Sequence, residues 1–235
     1  MLWVIFGHEY FFNLEAASNI LTAAPILETP YFLFIEAGMF AVDTFFFLGG
    51  FMAAYVLLRE KSFSFFTYPL AILNRVLRIW PSYIIAILIF YSILMHLGDG
   101  PIWHIWLDQV YLCDNMWRAL LFIDNFVDNG TEMCMNWGWY LQNDMQMFAF
   151  SALLILFYKR DKFFGSFSII LTIVISFAFT MTYNYTHNYK VPIHFEDFGP
   201  EDTSFQNIYI KPYSRCPPYL IGLLLGIGYM ELVEA

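Results

Sequence analysis

Charged side chains are scarce in this chain: they make up 13% of its 235 residues, with 11 Lys and Arg against 20 Asp and Glu. A net charge of −9 and a pI near 4.8 leave no basic face to neutralise phosphates, which excludes nucleic acid as a partner. A Gly-rich phosphate loop, a dinucleotide fingerprint and an internal repeat of the kind transporters use are all missing. His8-Glu9 opens like the zinc motif H-E-x-x-H, but position 12 is Phe. His96, His104, His187 and His194 are scattered without ligand spacing, so no metal is expected. Nor do Asn-Gly or Asp-Gly turns separate alternating ten-residue segments, as a transmembrane barrel requires, and helices are the default.

Apolar residues are what the chain has. At 60% hydrophobic and 21% aromatic it lies outside the range of soluble domains. With about 20 apolar residues per helical crossing, roughly six spans would consume most of the chain and leave no large soluble domain. The runs fall at about 2–14, 38–58, 79–97, 140–158, 163–182 and 218–233. The expected fold is all-α, a polytopic transmembrane helical bundle of one domain over 1–235.

Lys and Arg set the expected orientation. One set of connections holds seven of them (Arg59, Lys61, Arg75, Arg78, Lys159, Arg160 and Lys162) and the alternate set four (Arg118, Lys190, Lys211 and Arg215). The first set is therefore expected in the cytosol. The second set also carries thirteen acidic residues, among them Asp99, Asp108, Asp124, Glu196 and Asp202. Residues 98–139 and 183–217 thus read as extracytoplasmic loops. Both contain an N-glycosylation pattern, Asn129-Gly130-Thr131 and Asn184-Tyr185-Thr186, and Cys113 and Cys134 flank the first as a disulfide in an oxidising lumen would. Cys216 is left over and reads as a buried free thiol. Gly222 and Gly226 make a small-xxx-small pattern that reads as packing within the bundle.

Three stretches carry a resemblance: Val42-Asp43-Thr44-Phe45-Phe46-Phe47-Leu48-Gly49-Gly50-Phe51, Asn74-Arg75-Val76-Leu77-Arg78-Ile79-Trp80-Pro81, and Trp137-Gly138-Trp139-Tyr140-Leu141-Gln142-Asn143-Asp144-Met145-Gln146. Together with Gly7-His8, Leu121-Phe122-Ile123-Asp124-Asn125-Phe126 and Lys211-Pro212-Tyr213-Ser214-Arg215, they resemble the acyltransferase type 3 family, in particular its nose-resistant-to-fluoxetine branch. The motifs stand in the family's order along nearly the whole chain. Two departures accompany them. The family has about ten spans and an Arg about eleven residues before the His, a position that would precede Met1, so the chain reads as an incomplete or shortened member. Gly49 also stands where the family pattern usually has Ser.

The resemblance implies transfer of an acyl group from cytosolic acyl-CoA, as co-substrate, to an acceptor on the far side, with His8 as the base. A neutral imidazole in low-dielectric surroundings suits that role, and the alternative is a polar packing residue bonded to a neighbouring helix. Arg75 and Arg78 lie on one helical face, where guanidinium groups can hold coenzyme A phosphates or simply anchor the cytosolic boundary. Asp43 and Asp144 lie in or near apolar runs, and each needs a partner there. Asp144 either orients His8 or lines the acceptor path, or makes a structural hydrogen bond. The leading expectation is a membrane-bound O-acyltransferase acting on a hydroxyl of a lipid or carbohydrate. Alternatives are a transport or binding protein for lipids or small hydrophobes, and a non-catalytic subunit of a membrane protein complex. The expected partners are membrane lipids and acyl-CoA, in the endoplasmic reticulum or plasma membrane.

Overall fold

The computed structural model describes residues 2–16, 25, 29–100, 103, 107, 110–127, 132–189 and 203–234. Among them there is no strand. The helices are α1 (Leu2–Ala16), α2 (Pro30–Glu36), α3 (Ala41–Arg59), α4 (Tyr68–Ser92), α5 (Met116–Leu120), α6 (Trp139–Arg160), α7 (Lys162–His187) and α8 (Pro212–Glu234). A 3-10 turn, Ala37–Phe40, joins α2 to α3, and one π-helical turn, Phe205–Tyr209, precedes α8.

Among the described residues four helical segments are long and apolar enough to cross a membrane: Pro30–Arg59, Tyr68–Ser92, Lys162–His187 and Pro212–Val233. The six expected runs differ from these for local reasons. The first run folds as α1, whose 15 residues are about five short of a span. The fourth folds as the 22-residue α6, but Gln142, Asn143, Asp144 and Gln146 in its first two turns lower its hydropathy. The third begins at Tyr68, eleven residues earlier than expected. Pro69 supplies the fixed φ that favours a first helical turn, and the helix runs on through Arg75 and Arg78, which had masked its apolar character.

The polar α6 is possible because it is central. It packs against α3, α4, α7 and α8 and buries residues all round its length, from Trp139 to Tyr158. α3 and α8 make the most extensive contact in the bundle. Phe46, Ala54, Ile155, Tyr219, Leu220 and Leu223 fill the core between these three helices. α4 lies further out. Tyr68 donates to the Ala149 carbonyl in mid-α6 at 3.0 Å, while Phe90, near the other end of α4, meets Trp137 edge to face at 5.1 Å, just before α6 begins. α4 thus starts beside the middle of α6 and passes its N-terminus. α1 packs on α2, the 3-10 turn and α3, with Trp3 stacked on Phe34 at 5.0 Å.

Candidate functional site

The polar start of α6 holds the first of two ion pairs between helices. Arg75 Nη2 donates to Asp144 Oδ2 at 2.6 Å, with the two side chains only 15% and 13% exposed. The guanidinium also lies 4.2 Å over the Phe148 ring, and its Nε is buried with no acceptor among the described residues. Burial without a counter-charge would be costly, so this pair is what lets both groups sit inside the bundle. Tyr219, fully buried, closes the site from α8, where its hydroxyl accepts from Ser151 at 3.5 Å. A Cβ on Gly49 would lie 3.3 Å from the Tyr219 ring and 3.4 Å from Asp144 Oδ1. The serine usual at that place in the family pattern would therefore bring a hydroxyl to this carboxylate; here Arg75 is its hydrogen-bond partner.

The second pair is Arg215 Nη1 with Asp43 Oδ1 at 2.9 Å. Arg215 Nε donates to the Tyr209 carbonyl at 2.9 Å, and the guanidinium stacks 4.0 Å over the Tyr209 ring. Asp43 stands six residues before Gly49 on α3, and Arg215 four before Tyr219 on α8. At 1.5 Å per residue the two pairs are about 6–9 Å apart along the α3–α8 seam. Both carboxylates that demanded a partner thus have one, each an arginine far away in the chain.

A third network fastens the segment after α5 to α6. Asn125 N donates to Gln142 Oε1 at 2.6 Å, and Asn125 Nδ2 to Asn143 Oδ1 at 2.8 Å. Gln146 Nε2 donates to the Phe122 carbonyl at 2.6 Å, and Asn143 Nδ2 to the Ile210 carbonyl at 2.9 Å. Lys211 Nζ donates to the Asn125 carbonyl at 2.6 Å, and burial pushes this ammonium below the ordinary lysine range. Cys113 and Cys134 form a disulfide, as the sequence led us to expect, and Cys134 N donates to Asp124 Oδ2 at 3.0 Å. Buried Phe122 and Met135 hold left-handed backbone at φ 58° and 57°, conformations that persist only where surroundings fix them. The stretches 121–126, 137–146 and 211–215 are therefore one hydrogen-bonded unit.

The remaining site residues stand apart from these pairs. His8 is exposed on α1, and its Nδ1 lies 2.8 Å from the Val4 carbonyl. A carbonyl only accepts, so Nδ1 carries the proton and Nε2 is the basic nitrogen of the neutral ring. Asp144 meets Arg75 and not His8. Arg78, one turn on from Arg75, is exposed and makes no hydrogen bond or ion pair among the described residues. Asn184 lies in the last turn of α7, half-buried, whereas Asn129 is outside the described residues. Cys216 is half-buried and free, beside a groove of about 240 Å³ that Gln146, Phe150 and Tyr213 also line. Among the described residues no three His, Cys, Asp or Glu side chains gather as a metal site would. Sequence reasoning weighed Asp43 and Asp144 but missed Arg215 as the partner of Asp43, and Lys211 and Asn125 as members of the network that fastens α6. Their place inside the recognised motifs was the signal.

The exposed face of α4 is divided. Leu70, Leu73, Leu77 and Leu88 form an apolar half, while Asn74, Arg78 and Ser82 succeed one another at i, i+4 and i+8 on the other. Pro81 lies in the same exposed arc and, lacking an N–H, leaves the Leu77 carbonyl without its helical donor. Arg78 is ten residues from the start of this 25-residue helix, about 15 Å along a length of about 37 Å.

Comparisons with known proteins agree with the motifs. The chain is similar to nose resistant to fluoxetine protein 6 of Caenorhabditis elegans, at 27% identity over 96% of this chain and 30% of that protein. It is also similar to the regulator of hypoxia-inducible factor 1 of the same organism, at 29% identity over 96% of this chain and 48% of that protein. The chain therefore spans less than half the length of either relative. No solved structure matches it. The family model described as an acyltransferase domain covers residues 1–234, which takes in both ion pairs, the α4 ladder and His8. With that span matched and with helices of membrane length, the chain belongs to the acyltransferase type 3 family and is an acyltransferase-type membrane protein.

Proposed function

We propose that this bundle moves an acyl group from acyl-CoA to a hydroxyl of a lipid or carbohydrate acceptor, and that Arg78 receives a phosphate of the coenzyme. The observation that supports this is a guanidinium with no partner among the described residues, near the middle of a membrane-length helix and flanked by Asn74, Ser82 and the Leu77 carbonyl that Pro81 leaves without its helical donor. Hydrocarbon does not tolerate such a row, and ionisable residues at that depth mark ligand pathways. Arg75 cannot serve equally, because Asp144 and Phe148 already occupy it. The paired role expected for Arg75 and Arg78 thus divides: one builds the wall and the other faces the ligand. The cations Arg59, Lys61, Lys159 and Arg160 support a cytosolic orientation for the end of the bundle where α3 and α6 finish, the side on which acyl-CoA is found.

In the transfer itself the acceptor oxygen attacks the thioester carbonyl carbon, a C–O bond forms and the C–S bond breaks. His8 Nε2 takes the hydroxyl proton and returns it to the departing thiolate. His8 lies on α1 and Arg78 on α4, so the thioester would have to reach α1 while the phosphates stay at α4. The pantetheine arm is what separates the phosphates from it.

The test uses the full-length protein in lipid nanodiscs with radiolabelled acyl-CoA. Arg78→Gln is expected to weaken acyl-CoA binding by about tenfold or more, the loss of a charge-assisted hydrogen bond of roughly 1.5–3 kcal/mol. His8→Ala is expected to abolish transfer with binding and yield unchanged. Unaltered affinity in Arg78→Gln removes the phosphate site. Transfer that persists in His8→Ala removes the base.

A further inference from the structure

At the end of the bundle where α3, α6 and α8 finish, α7 begins and the α3–α4 loop turns, three carboxylates are hydrogen-bonded within the fold and several cations are not ion-paired. Glu60 Oε1 accepts from Ser62 N at 3.2 Å and from its hydroxyl at 2.6 Å. Asp161 Oδ1 caps the start of α7, accepting from Phe164 N at 2.7 Å. Glu231 Oε1 accepts from Tyr158 Oη at 2.5 Å and Lys162 Nζ at 2.8 Å, tying α8 to α6 and α7. Lys159 Nζ, in turn, donates to the carbonyls of Glu60 at 2.9 Å and Phe63 at 3.1 Å and so holds the α3–α4 loop. Three cations are left. Among the described residues Arg59 reaches only the Tyr55 hydroxyl at 2.9 Å and the face of that ring, while Lys61 and Arg160 are exposed and make no hydrogen bond or ion pair.

Bare aromatic rings stand beside these cations. Phe66 is 97% exposed and Phe163 83%, with Phe65 and Phe164 more than half exposed. The two loops that carry them adjoin, because Phe157 meets Phe65 at 6.4 Å and Phe164 at 6.0 Å. A groove of about 390 Å³ opens next to Arg59, lined by Tyr55, Val56, Arg59 and Glu60.

We propose that this end is a binding site for anionic phospholipids of the surrounding bilayer. Their phosphate and carboxylate headgroups meet Arg59, Lys61 and Arg160, and the Phe66 and Phe163 rings insert at the level where headgroup gives way to acyl chain. Cations just outside a span attract anionic lipid, and aromatic rings favour the interfacial layer. The rings decide between lipid and a soluble polyanion, since the latter offers nothing apolar to cover them. The inference does not depend on the acyl-CoA reading, because these cations enter that reading only as a sign of orientation and none of them is given a contact with the coenzyme or the reacting atoms.

Native mass spectrometry of the delipidated full-length protein, given equimolar phosphatidylserine and phosphatidylcholine, tests the site. Phosphatidylserine adducts are expected to exceed phosphatidylcholine adducts by about tenfold, as several juxtamembrane cations together would produce. Arg59→Gln/Lys61→Gln/Arg160→Gln should bring the two lipids to parity with an unchanged melting temperature. Phe66→Ser/Phe163→Ser should weaken both lipids while keeping the preference for the anionic one. Parity in the unaltered protein, or a preference that survives the triple substitution, overturns the proposal. Competition by glycerophosphoserine as strong as by intact phosphatidylserine also overturns it, in favour of a soluble anion.

Discussion

Gly222→Ala is expected to remove most of the folded protein, although it adds one methyl group to a helix that alanine ordinarily favours. The Cβ would fall inside van der Waals contact of the Phe47 carbonyl oxygen and 2.8 Å from the carbonyl carbon. The arrangement is reciprocal, because a Cβ on Gly50 of α3 would run into the Tyr219 carbonyl of α8, and one on Gly226 would come within 2.7 Å of the Phe51 carbonyl oxygen. Close backbone approach of this kind is what small residues allow between membrane helices. The obstructing atoms are backbone, so no rotamer change relieves them and the helices must part. Parting them pulls on Arg215–Asp43 and on the Phe51–Tyr229 ring contact at 5.7 Å, which cross the same seam. Overpacking alone costs about 1–3 kcal/mol, and separation of the seam adds to it. Gly228→Ala is the matched control, since a Cβ there meets nothing within 4 Å. It should be neutral or should stabilise by up to about 1 kcal/mol through helix propensity. Thermal unfolding in detergent, followed by size-exclusion recovery, reads both variants. Equal behaviour of the two would show that the seam yields.

Gly222 and Gly226 illustrate what was legible from residues alone. Their spacing identified a close helix contact, but only the fold supplies the partner, α3, and the answering glycine, Gly50. The same holds for charge. That Asp43 and Asp144 require partners follows from their apolar surroundings. That the partners are Arg215 and Arg75 does not, because 172 and 69 residues separate the members of each pair. Counting cations by side grouped Arg75 with Arg78, whereas burial splits them: α4 turns Arg75 inward to α6 and Arg78 outward. α6 was read as an ordinary span because its last three turns are apolar. Its first two turns face the 122–125 segment and Ile210, contacts that no periodicity within α6 reveals. The disulfide was readable because it is local to one connection and has few alternative partners among three cysteines.

Asp144→Leu and Arg75→Leu are each expected to destabilise the bundle by about 3–5 kcal/mol, and the double substitution by much less than their sum. Either single change leaves one buried charge without its counter-ion. Among the described residues Arg75 would retain only the Phe148 ring, since its Nε has no acceptor there and Nη2 would lose Asp144. Asp144 would be left with its negative charge facing Tyr219 and Gly49 and with no cation bonded to it. Removing both charges replaces a desolvated pair by apolar side chains, which buried sites tolerate well. A double-mutant cycle on melting temperature in nanodiscs measures the coupling, and additive effects would mean that the two groups act independently. The same four proteins separate strut from chemistry. If Asp144 serves only to hold Arg75 inside the bundle, the double variant folds and still transfers acyl groups, because neither His8 nor Arg78 depends on a charge at 144. If Asp144 takes part in the reaction, the double variant folds and is inert. The geometry favours the first outcome: the carboxylate faces the guanidinium of α4 rather than the imidazole of α1, and its second oxygen lies against the seam that Gly49 and Tyr219 close.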